Sequence, residues 1–63
     1  MTEQEITTAV YQALQEGRVK SVHPRVIRAI IDIKVHGMKW RDAEEKHEVT
    51  QGGILRCMRK IFV

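Results

Sequence analysis

Gln51, Arg56, Arg59 and Lys60 bring amide, guanidinium and ammonium groups into one short stretch that contains no carboxylate. Such groups read or hold nucleic acid. A glutamine amide pairs with the edge of adenine or bridges to a phosphate, and an arginine forks onto guanine O6 and N7. Arg59 and Lys60 come a turn later, where cations meet the phosphate backbone and add affinity more than specificity. Leu55 falls on the same outward face, either against a thymine methyl or as an ordinary exposed leucine. Gly52 and Gly53 cost roughly 1 kcal/mol each in a helix. Either they let backbone N–H groups approach a phosphate at a helix N-terminus, or they fray a first turn that tolerates them. Further upstream, Lys39 and Arg41 flank Trp40, the only tryptophan. Two cations and an indole N–H suit a helix that crosses a DNA backbone; the plainer reading has Trp40 capping the core. With Thr50, which can cap the helix that follows, the candidate DNA-binding residues are Lys39, Trp40, Arg41, Thr50, Gln51, Gly52, Gly53, Leu55, Arg56, Arg59 and Lys60.

Other chemistries find little footing. His23, His36, His47 and Cys57 are separated by thirteen, eleven and ten positions, which matches no compact zinc pattern. No metal or other cofactor is expected. His47 reads as a core or pH-sensitive packing group, and Cys57 as a small core hydrophobe. Asp42, Glu44 and Glu45 lie on a solvated helix face, and a chain of 63 residues offers little room for a catalytic pocket. An enzyme is not expected. A single cysteine forbids an intrachain disulfide and fits a reducing cytosol. No apolar run approaches the ~20 residues of a membrane span, and the acidic start MTEQEITT is unlike a signal peptide. A cytoplasmic location is expected.

The elements that must position these residues are helical. Thr2 and Glu5 form a capping box, Ile6, Ala9, Val10, Ala13 and Leu14 follow at helical spacing, and Gly17 stops a first helix of about Glu3 to Glu16. His23 before Pro24 is a plausible N-cap with proline at the first helical position. Ile27, Ile30, Ile31 and Lys34 share one face of the second helix, widened by Val26, Ala29 and Ile33, and Gly37 ends it. Trp40 to His47 makes a third helix. Thr50 to about Phe62 makes a fourth, with Ile54, Cys57, Met58 and Ile61 at i, i+3, i+4, i+7.

Charge is modest in sum and uneven in distribution. The net charge is +3. Between Arg18 and Arg41, the cations Arg18, Lys20, Arg25, Arg28, Lys34, Lys39 and Arg41 face Asp32 alone. The other acids gather at Glu3, Glu5 and Glu16 and at Asp42, Glu44, Glu45 and Glu48. Such segregation is either an electrostatic footprint for a polyanion or ordinary surface scatter.

Two regulator families resemble these segments. Val35-His36-Gly37, then Ala43-Glu44-Glu45-Lys46-His47-Glu48-Val49-Thr50-Gln51-Gly52, is similar to the PapB/FaeA fimbrial regulators, with their V-x-G and A-x-E-K-x-G-V-S-x-G layout. Val49-Thr50-Gln51-Gly52-Gly53-Ile54, followed by Met58, Lys60, Ile61 and Phe62, resembles the recognition helix of the TrfB/KorA plasmid repressors. The resemblance covers Val35 to Phe62, about half the chain. It implies a helix-turn-helix transcriptional regulator that binds DNA as a dimer or higher oligomer. One position departs: where both families hold glycine, this chain has Glu48. Positive φ there is costly for a non-glycine residue, so either the turn relaxes or Glu48 carries the strain.

The expectation is therefore an all-α domain of about four helices over residues 1–63, with the helix-turn-helix at 40–62. Its expected partner is double-stranded DNA, read sequence-specifically by a homodimer or higher homo-oligomer on an inverted repeat, with no membrane partner. A domain this small buries only about 60% of its unfolded surface, and Ile61-Phe62-Val63 either fold back on the core or, like helix one, supply a subunit interface. One alternative is a small protein-interaction module docking through the same apolar surfaces, and another is an architectural or excisionase-like DNA bender.

Overall fold

Thr2 opens the first helix as expected. Its hydroxyl accepts the Glu5 N–H at 3.2 Å, and its own N–H donates to Glu5 Oε1 at 2.9 Å. These bonds from Thr2 hold the Glu5 carboxyl below its ordinary range. In this computed structural model, which describes residues 1–62, the chain forms α1 (Glu3–Gln15), α2 (Pro24–Lys34), α3 (Trp40–His47) and α4 (Gln51–Ile61). The fold is all-α, with no strand among the described residues.

Each connection is set by a local device. Gly17 takes φ 77° after α1, so Arg18 N–H reaches Ala13 O at 2.9 Å and Gly17 N–H reaches Leu14 O at 3.3 Å. This Schellman pairing satisfies carbonyls the helix leaves open and turns the chain so that Val19 points into the core, 8% exposed. His23 Nδ1 accepts the Arg25 N–H at 3.1 Å, which makes His23 the N-cap of α2 with proline at the first position. α2 stops at Lys34, earlier than the glycine that was expected to end it. Gly37 instead serves the loop beyond, where φ 69° lets the Met38 N–H reach Asp32 O at 2.9 Å. Between α3 and α4 the turn is Glu48-Val49-Thr50. Glu48 takes φ 54° and ψ 48°, so the chain keeps the left-handed turn and the glutamate carries the strain.

α2 and α4 each pack against all three other helices. The fully buried isoleucines are Ile6 of α1, Ile30 of α2 and Ile54 of α4. Ala13, Ala29 and Ala43 have no exposed surface either, and their small side chains let the helix backbones approach closely. Val10 and Ile61 complete the core with Val19.

Three placements that the sequence left open are set by the structure. Leu14 is 39% exposed, because the α1 stripe that faces inward is Ile6, Val10 and Ala13. Asp32, which the sequence placed as a lone acid among cations, is buried on the edge of α2 that meets α3. Ile61 is 3% exposed and Phe62 packs half-buried against the core, so these two are not an open apolar end; Val63 lies outside the described residues.

Candidate nucleic-acid interface

A helix advances about 100° per residue, which divides α4 into two faces. Ile54, Cys57, Met58 and Ile61 turn inward, with Ile54 and Ile61 fully in the core. Gly52, Arg56 and Arg59 lie opposite, with Gln51 and Leu55 on one flank and Lys60 on the other. Gln51, Gly52, Leu55, Arg56, Arg59 and Lys60 are all exposed. α4 contains no acidic residue.

Its N-terminus is partly committed. Thr50 Oγ1 accepts the Gly53 N–H at 3.1 Å, leaving the hydroxyl hydrogen free to donate. The amides of Gln51 and Gly52 have no acceptor among the described residues, as the first turn of a helix leaves them. The two glycines differ. A Cβ on Gly53 would meet Thr50 Oγ1 at 3.2 Å, so the cap itself favours a small residue there. A Cβ on Gly52 would meet nothing within 4 Å, and its φ is not positive. Neither space nor backbone geometry inside this protein requires glycine at 52.

The α3 end of the candidate surface is also open. Lys39 is the N-cap of α3, exposed and without a capping bond from its side chain. Arg41 is exposed and Trp40 packs half-buried against the core. The Trp40 ring thus caps the hydrophobic cluster.

What orients α3 beneath this surface is a polar lock that sequence spacing did not reveal. Asp32 of α2 takes a hydrogen bond from His47 Nε2 and stands 3.2 Å from Lys46 Nζ and 3.9 Å from His36 Nε2. The His47 bond, with Lys46 helping, holds the Asp32 carboxyl below its ordinary range although burial pushes the other way. His47 is therefore an inner-face residue as expected, with a carboxylate as its partner. Cys57 is half-buried, and burial pushes its thiol up, which makes it a packing group and a poor nucleophile.

A second unanticipated contact joins the α1–α2 linker to α4. Arg18 Nη1 donates to the Lys60 carbonyl at 2.9 Å, a cationic cap on the end of α4. Arg18 Nε lies 3.1 Å from Glu16 Oε1, though the angle does not make a hydrogen bond of it. Positions so far apart in the chain gave no local sequence signal. The nearest hint was that Arg18 and Lys20 directly follow a helix-ending glycine.

No protein-family model matches this chain, and no curated protein or solved structure matches it either. The site thus stands on its own geometry.

Proposed function

We propose that this protein binds double-stranded DNA sequence-specifically and regulates transcription, with α4 as the helix that enters the major groove. The observation that carries the reading is Gly52. It sits exposed in the middle of an acid-free basic face and weakens the helix, while nothing in the protein's own packing calls for glycine there. A surface that must come within backbone distance of a partner accounts for it, and the open amides of Gln51 and Gly52 suit that partner being a phosphate. Gln51 and Arg56 then address base edges, and Lys39, Arg41, Arg59 and Lys60 hold the backbone on either side. The α3–turn–α4 geometry, with its left-handed Glu48, supports the same reading. A repressor role, exerted by covering a promoter, rests on the resemblance to the TrfB/KorA and PapB/FaeA regulators.

One recognition helix reads too few base pairs to find an operator in a genome, so the protein acts as a homodimer on an inverted repeat. With Ile61 in the domain's own core, the apolar surface available for pairing is on α1, where Tyr11 is 61% and Leu14 39% exposed.

Selection of bound sites from random duplex DNA, followed by a salt titration on the selected site, tests the reading. A recurring half-site and a steep loss of affinity with salt are expected. No enrichment, with equally weak binding to every duplex, would reject it in favour of a protein-interaction module.

A further inference from the structure

The Arg18–Lys60 contact lays the α1–α2 linker alongside α4 and leaves a groove between them of about 490 Å3. Arg18, Lys20 and Ser21 line it from the linker, and Gly53, Arg56 and Lys60 from α4. Four cations thus converge from two walls, and no acid is in the lining. Glu16, the acid near Arg18, stays outside it. Lys20 has no ion-pair partner among the described residues, and Arg18 uses only one of its terminal nitrogens on the Lys60 carbonyl. Gly53 and Ser21 leave the walls low, and the groove is open rather than enclosed. A free anion favours enclosure on several sides. A trough with cations on both walls suits a chain of phosphates that enters at one end and leaves at the other.

We infer that this groove takes the sugar–phosphate backbone of one DNA strand, so that the α1–α2 linker is a second DNA-contacting element beside α4. Arg56 and Lys60 belong to both surfaces, which makes the groove continuous with the outward face of the helix. The inference rests on the proposed DNA-binding role and adds to it a strand-clamping residue, Lys20, far from the helix-turn-helix in sequence. Lys20 contacts phosphate, so it supplies affinity without discriminating sequence.

The test measures duplex binding across a salt series for the wild type, Lys20→Gln and Lys34→Gln. Lys34 is an exposed lysine at the end of α2, outside the groove. Thermal melts check that both variants remain folded. Lys20→Gln is expected to weaken selected and random duplexes by the same factor and to shallow the log–log salt slope by about 0.9, one phosphate's worth. Lys34→Gln is expected to leave the slope unchanged. A wild-type slope that Lys20→Gln does not alter, or that both variants alter equally, overturns the groove assignment and leaves the α4 reading intact. A wild type that binds no duplex overturns both. Inorganic phosphate titrated into the free protein gives a second arm. Saturable amide shifts at Ser21 and Gly53, with duplex binding insensitive to Lys20→Gln, would assign the groove to a small anion and reject the DNA strand.

Discussion

Gly53 is small because the Thr50 cap sits 3.2 Å from where its Cβ would stand, whereas no contact within the protein calls for glycine at 52. Gly52→Ala places a methyl in open space and removes a helix-weakening residue, so a gain of up to about 1 kcal/mol in stability is expected. In the proposed interface the same methyl stands where the DNA backbone approaches, so binding is expected to weaken as the melting temperature rises. Melting curves and binding isotherms on one preparation read both signs; a variant that is more stable and binds as well as the wild type removes Gly52 from the interface. Arg56→Ala is expected to cost about 1–3 kcal/mol on the selected site and much less on random DNA. Equal losses on both would demote Arg56 to a phosphate contact. Arg59→Ala, one turn on, is expected to weaken both duplexes alike and to shallow the salt slope by about one unit.

At the level of elements, two polar devices set how α3 is held. The first is the buried Asp32 carboxylate under His47 and Lys46. Asp32→Ala strands the part-buried His47, while the exposed Lys46 turns to solvent, and is expected to cost about 1–3 kcal/mol. The folded-state pKa of Asp32 lies below its ordinary 3.8. Its contribution to stability is therefore complete above that value and lost as the pH falls through the lowered pKa. The gap in melting temperature between wild type and Asp32→Ala should accordingly narrow on acidification below pH 3.8; a constant gap would show that the charge is not what matters. The second device is the left-handed Glu48, φ 54°. Its ion pair with Arg25, 3.7 Å across an exposed gap, is worth little. Glu48→Gly is expected to raise the melting temperature by relieving about 1 kcal/mol of strain. The helices were legible because their signals are local: Thr2 with Glu5, His23 before Pro24, Thr50 before Gln51, and a 3.6-residue apolar period in α4. Asp32 was not, because its burial depends on which edge of α2 meets α3, and no spacing within α2 encodes that. Leu14 misled for the same reason, since periodicity defines a stripe but not its width.

For the whole molecule, the outward face of α4 was readable from residue types alone, whereas the groove beside it was not. That groove lies where Arg18 reaches a carbonyl 42 positions away and Val19 anchors the linker in the core. Ile61 is taken up by the core and Phe62 packs half-buried against it, and sedimentation of the protein with its selected duplex should show two copies per inverted repeat. A Tyr11→Glu variant should give one copy; two copies in the variant would place the contact elsewhere than α1. The Arg18 cap has a further consequence, for how the molecule breathes. It ties the last turn of α4 to the Gly17 turn, where the Arg18 and Val19 amides are held on Ala13 O. When the end of α4 frays, the guanidinium loses its acceptor, and the linker is released with it. Amide hydrogens in these two segments, remote in sequence, should then exchange with solvent as one opening unit, and Arg18→Ala should split that unit into two with different rates.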